Sequence, residues 1–289
     1  MVIKSFHQLD EAQEEQIREL EELCNLAEKP PLQGYVYLDS QANAEPDRDC
    51  FYLLYENGIL AGFLSVFAPG EEGEITAFVH PDCRRRGFFT AMLRQAARDW
   101  RRLTALSLVT QSGSSSVPAV VKKLGAVRSF SEYMMTYGGK PLPKERTGGQ
   151  GVTLIKAGPA DGEKVVPLLA SLFYMTPEDA EGWFSRLCAS PDTSVYLAKA
   201  GNAFVGTGCL SVEEERLTIF AVGVKKALRG RGYGRGILRG LMEQWEQKYK
   251  NTQVSAELDS EHPAAVSLFQ KFGFETDIQF DYYRLPSRG

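Results

Sequence analysis

Apolar residues recur along the chain in two rhythms, a period of two where strands are expected and a period near 3.6 where helices are expected. Short apolar runs around Ile3 and around Leu154 each open a segment, and helical material follows, with Ile17, Leu20, Cys24 and Ala27 on one stripe of the first. A hairpin signal comes next, Asn57-Gly58 followed by Ala61-Gly62, then a further strand. A glycine-bearing turn then leads into a helix whose Phe89, Met92, Leu93, Ala96, Ala97 and Trp100 share a face. A β-rich run at Leu106 to Val109, a short helix and a final β segment close the series. The pattern predicts an α/β fold, a mixed sheet with helices on its faces.

The series then repeats. Gly201-Asn202 followed by Val205-Gly206 answers the first hairpin at an offset of 144 residues, and VKKALRGRGYG from Val224 answers VHPDCRRRGFF from Val79 at 145. Gly234, Ile237, Leu238, Leu241, Met242 and Trp245 reproduce the six spacings of the first amphipathic helix. Farther on, Phe272 to Phe274 answers Leu124 to Ala126 at 148, a drift that small loop insertions are expected to explain. Val254 to Leu258 is the second penultimate strand. The aperiodic GGKPLPKERTGGQG between the copies sets the boundary, giving domains at 1–140 and 150–289. Pro167 is expected to start or kink the helix after Asp161.

Composition narrows the function. The 289 residues are 43% hydrophobic and 24% charged with a net charge of −4, which fits globular domains and points to neither nucleic acid nor membrane as a partner. Five cysteines without a CxxC pair argue against a disulfide framework or zinc knuckle, and no metal is expected. An N-terminus that turns acidic within ten residues and the lack of a long apolar run make a cytoplasmic location the expectation. No pattern specifies an oligomeric state.

Candidate chemistry lies in the turns. In the second copy a strand, Leu217 to Val224, runs into Arg229-Gly230-Arg231-Gly232-Tyr233-Gly234-Arg235 and on into a helix. Glycines allow tight turning and close approach to a ligand, and a helix start offers unpaired N–H groups. Helix N-termini ordinarily favour acidic side chains, so the basic residues gathered there imply an anion. Val79, Arg84, Arg86 and Gly87 occupy the equivalent places in the first copy. A tight connection with solvated arginines is the alternative for one copy; duplication in matching context favours anion binding.

These residues resemble the GNAT superfamily of acyl-CoA N-acyltransferases, whose turn reads Q/R-x-x-G-x-G/A. Arg229, Gly232 and Gly234 match in full, while Arg84 and Gly87 match with Phe89 in the last small position. His262, Ala265, Leu268, Phe269, Gly273 and Phe274 look like the family's downstream N-x-x-A-x-x-L-Y-x-x-x-G-F element. The resemblance covers nearly the whole chain as two tandem GNAT-like domains, a layout similar to that of mycothiol synthase.

The resemblance implies acetyl-CoA as co-substrate, its pantetheine arm along Val222, Gly223 and Val224 and its diphosphate on the N–H groups of residues 230–234. It also implies an amine acceptor, a small molecule or peptide. The family's usual proton donor is a Tyr where this chain has Phe269, with Val121 in the first copy. Tyr282, Tyr283 and His262 are the substitutes considered, Glu257 and Glu215 the candidate bases with a surface carboxylate as the alternative for each, and Glu213 and Glu214 either attract a cationic amine or are solvated surface. In the first copy Glu74 and Tyr133 hold the corresponding places. The better-preserved second domain is expected to be catalytic; the alternative is a noncatalytic acyl-CoA-binding or sensing protein.

Overall fold

A computed structural model describes residues 2–41, 43–142, 151–213, 215–259 and 263–286. The first repeat runs Val2–Phe6 (β1), Glu11–Leu26 (α1), Phe51–Glu56 (β2), Ile59–Phe67 (β3), Glu72–Val79 (β4), Phe88–Asp99 (α2), Ala105–Gln111 (β5), Val117–Leu124 (α3) and Val127–Tyr137 (β6). The second runs Thr153–Ala157 (β7), Gly162–Phe173 (α4), Pro177–Ala189 (α5), Thr193–Ala200 (β8), Ala203–Glu213 (β9), Arg216–Val224 (β10), Tyr233–Lys248 (α6), Gln253–Asp259 (β11), Pro263–Lys271 (α7) and Phe274–Arg284 (β12).

Of the expected α1 stripe, Ala27 falls outside the helix as its exposed C-cap. Asp10 caps α1 by accepting from the Gln13 amide while the Gln13 side chain returns to the Asp10 amide. The α1 stripe buries Ile17, Leu20 and Cys24, and α6 buries Ile237, Leu238, Leu241 and Met242. Pro167 falls inside α4, which already begins at Gly162, so it does not start that helix.

The chain divides into two compact units, and each borrows strand from the other repeat. Unit 1 comprises Met1–Ser131 with Ile278–Gly289, and its strand order is β1-β2-β3-β4-β5-β12-β6. The strand beside β5 is the end of β12, in antiparallel register with Tyr282 opposite Val109. Unit 2 is Glu132–Asp277, ordered β12-β6-β11-β10-β9-β8-β7. Here the end of β6 lies beside β11, with Tyr133 opposite Leu258 and Met134 opposite Glu257.

Unit 2 is layered. On one sheet face α6 and α7 cover Leu217, Ile219, Val254, Ala256 and Leu258. On the other α4 and α5 pack over Val195, Leu197, Cys209 and Phe220. In unit 1 a single cluster joins α1 and α2 to β2, β3, β4 and β5. All five cysteines are unpaired.

Candidate functional site

Among the described residues each unit contains one parallel strand pair, and each pair parts midway. β4 and β5 stay in register from Glu72 opposite Ala105 to Ile75 opposite Leu108, although β4 continues to Val79 and β5 to Gln111. β10 and β11 run from Arg216 opposite Gln253 to Ile219 opposite Ala256, leaving Phe220–Val224 without a β11 partner. A gap flanked by unpaired strand edge is where an extended ligand can add backbone hydrogen bonds.

The turns beyond these gaps are near copies. Arg84 has φ −62° and ψ 155°, and Arg229 has φ −61° and ψ 155°. Gly87 and Gly232 sit at φ 86° and 87° at the N-caps of α2 and α6. Between them Gly230 lies at φ 77°, while its counterpart Arg85 is held at φ 64°, a region costly for a residue with a Cβ. A glycine cap has no side chain to bond the first amides of its helix, the backbone arrangement that a nest for an anion requires.

Space and charge at the second nest suit a diphosphate. Open space surrounds the Cβ positions of Gly230 and Gly232, and Arg229 and Arg231 are exposed. A Cβ on Gly234 would stand 3.4 Å from Leu268. Tyr233 is buried in the unit 2 core.

The gaps differ in one strand. β4 pairs with β3 without interruption from Phe67 opposite Glu74 to Gly62 opposite Val79. β10 matches this as far as Phe220 opposite Cys209, then resumes at Gly223 opposite Thr207, so one extra residue is accommodated as a β-bulge. Ala221 takes φ 50° at the bulge, and the buried Thr207 hydroxyl donates to its carbonyl at 3.1 Å. Gly206 and Gly223 approach so closely that a Cβ on Gly206 would collide with the Gly223 carbonyl oxygen. The bulge corrects one expectation, because the step in repeat offset from 144 to 145 is a residue inside a strand rather than a loop insertion.

Val222, Gly223, Val224 and residues 229–235 thus come together in unit 2, and so does Glu257, the first β11 residue beyond the last parallel pair. Ala256 and Leu258 face α6 and α7, so strand alternation turns Glu257 to the opposite face. The Glu257 side chain reaches solvent, yet its pKa is raised above the ordinary carboxylate value, first by desolvation from the groups around its base and then by the charge of Glu213. Glu215 lies before β10 at the paired end, where its carbonyl accepts from the Gln253 amide, away from the gap.

Tyr282 is placed in unit 1, buried and stacked on Phe130 at 4.2 Å, and Tyr283 packs on the unit 1 core. Neither joins the second nest in its unit. Tyr133, the first-copy candidate, instead belongs to unit 2, on the Leu258 side of the sheet and packed on the same core as Phe269. Phe269 is fully buried, edge-to-face with Phe274 at 5.1 Å. His262 and Glu214 lie outside the described residues. Among the described residues no cluster of His, Cys, Asp or Glu is placed to hold a metal ion, and no helix is long and apolar enough to cross a membrane.

The acetyltransferase (GNAT) family model matches residues 14–125 and again 164–274, once across each gap and nest. The chain belongs to the GNAT family of acetyltransferases. It is 26% identical over 245 residues to a mycothiol acetyltransferase of Mycolicibacterium vanbaalenii, covering 78% of this chain and 80% of that protein. Over 131 residues it is 28% identical to the N-alpha-acetyltransferase RimI of Mycobacterium tuberculosis, covering 44% of this chain and 80% of the relative. A GCN5-related N-acetyltransferase from Sphaerobacter thermophilus shares the fold with a TM-score of 0.76 at 16% identity, covering 99% of this GNAT chain and 96% of the other. A tandem GNAT protein from the clavulanic acid biosynthesis pathway superposes with a TM-score of 0.65 at 16% identity over 99% and 100% of the two chains.

Proposed function

We propose that this GNAT protein is an N-acetyltransferase that moves an acetyl group from acetyl-CoA directly to an amine of a small molecule or peptide, and that unit 2 carries the reaction. The β10 bulge carries this reading. A bulge re-aims backbone groups that a regular ladder would consume, and only the second of the two parallel-pair strands has one. In this reading the N–H groups of residues 230–234 hold the diphosphate, the β10 edge from Val222 to Val224 aligns the pantetheine arm, and the Val222 amide faces the thioester carbonyl. A preorganised donor there is worth about 10² to 10³ in rate.

The thioester supplies the activated acyl group; the chain supplies proton traffic. An alkylammonium with a pKa of about 10.4 must lose its proton before attack, and the raised pKa of Glu257 equips it for that role. Glu213, on β9, adds the second negative charge that draws a cationic acceptor toward this face. Tyr133 is assigned to protonating the departing thiolate, since it lies beside β11 on the face that Phe269 occupies. The names of the relatives, one for mycothiol and one for an N-alpha position, fit a small-molecule or peptide acceptor.

Thiol release from acetyl-CoA across an amine panel tests the reading. Release is expected to exceed hydrolysis with at least one amine. Gly234→Trp, driven into Leu268, and Arg231→Glu are expected to raise the KM for acetyl-CoA by about tenfold or more. Binding without acyl transfer to any amine would favour the noncatalytic alternative that Phe269 motivates.

A further inference from the structure

The first gap is bridged from within. Glu28, just past α1, is 3% exposed, with Oε1 at 3.2 Å from Nη1 of Arg84. Its Oε2 accepts from both the backbone N–H and the hydroxyl of Ser115, each at 2.7 Å. Arg84 follows β4 and Ser115 follows β5, so a single carboxylate ties together the ends of the two strands that part beyond Ile75 and Leu108. Burial alone would raise the pKa of Glu28, but the Ser115 hydrogen bonds and the Arg84 charge outweigh it and hold the carboxyl below its ordinary range.

The surroundings reinforce the closure. The Cys24 thiol donates to the Val79 carbonyl at 3.3 Å, which also accepts from Nε of Arg84 at 3.3 Å. Arg86 makes a two-pronged pair with Glu56, both contacts 2.6 Å, and its guanidinium lies over the Phe88 ring. Two basic residues of the first nest, Arg84 and Arg86, are therefore committed to carboxylates of their own unit. In unit 2, Nε of Arg229 bonds the Val224 carbonyl at 3.1 Å, and among the described residues neither Arg229 nor Arg231 has an ion-pair partner.

We propose that Glu28 acts as an internal anion that closes the first gap and nest against acyl-CoA, so that the chain takes up a single CoA, in unit 2. This rests on the CoA-binding reading of the second nest. A ligand entering unit 1 would have to separate Glu28 from Arg84 and Ser115, leaving a buried charge without partners, which is strongly unfavourable.

The test uses the full-length chain and coenzyme A itself, with calorimetric stoichiometry and amide hydrogen exchange as readouts. The wild type is expected to bind one equivalent, with protection gained at residues 230–235 and none at 85–89. Gly234→Trp should weaken that binding by about tenfold or more, and Glu28→Ala should raise the stoichiometry from one to two. Two equivalents in the wild type, protection at 85–89, or a folded Glu28→Ala chain that still binds one would overturn the proposal. Should Glu28→Ala fail to fold, the wild-type exchange map alone decides between these outcomes. No binding to either unit would instead sink the CoA reading beneath it.

Discussion

The hydroxyl of Thr207, on β9, donates to the carbonyl oxygen of Ala221 at 3.1 Å and fastens the extra residue of β10 to the neighbouring strand. Thr207 is fully buried, and Ala221 is held at φ 50°. The bond satisfies a carbonyl that the interrupted ladder cannot, and without it a left-handed alanine would have little reason to persist. Thr207→Val keeps the shape and removes the donor. We expect a stability loss of about 1–3 kcal/mol in denaturant melts, together with a fall in kcat for acetyl transfer larger than the change in acceptor KM. Unaltered kcat would show that the bulge does not position a reacting group.

Glycine is required at 206 but not at its counterpart 62. A methyl at 206 would meet the backbone carbonyl of Gly223, which cannot yield without dismantling the bulge, whereas one at 62 would meet the Met92 thioether end at 2.9 Å. Methionine adapts readily. Gly62→Ala should therefore cost less than about 1.5 kcal/mol, and Gly206→Ala should reach or exceed the upper end of the roughly 1–3 kcal/mol typical of overpacking. Paired urea titrations give the comparison.

Glu257 should trade stability for activity. Desolvation and Glu213 raise its folded-state pKa, so the fold binds its proton more tightly than the unfolded chain does. Its favourable contribution is complete below the unfolded-state pKa and is lost as pH rises through the raised folded value. Because the side chain is exposed and screened, Glu257→Gln should raise Tm only slightly near neutral pH and not at all in acid. The same variant should lower kcat by about 10² to 10⁴ and abolish the rise of rate with pH that deprotonation of the base produces.

Tyr133 and Phe269 share one core in unit 2. If Tyr133 protonates the leaving thiolate, Tyr133→Phe should lower kcat while leaving the KM for acetyl-CoA nearly unchanged. Adding Phe269→Tyr to that variant, which restores the hydroxyl the family usually carries, is expected to recover part of the rate. An equal kcat for wild type and Tyr133→Phe would remove Tyr133 from the chemistry.

Much of this protein could be read without its structure because the relevant signals are local. Helical periodicity marks the buried faces of α1, α2 and α6, and Gly87, Gly230 and Gly232 stand where positive φ is needed. Their duplication locates both nests. The bulge also left a trace, since Ile75 and Ile219 are 144 residues apart while Val79 and Val224 are 145 apart. An offset counts an added residue but cannot say whether a loop or a strand absorbs it, because that depends on where the neighbouring ladder closes.

Tertiary structure alone decided which strand completes which sheet. Alternation tells a strand which face to bury and says nothing about its neighbour, so Tyr133 opposite Leu258 and Tyr282 opposite Val109 could not be foreseen from the repeat order. The Glu28 bridge was equally hidden, since Arg84 and Ser115 lie 56 and 87 residues farther along the chain. Sequence set the two nests and their helices through backbone preference and periodicity; long-range pairing determined which gap is bulged, which is bridged, and which tyrosine stands opposite Leu258 in β11.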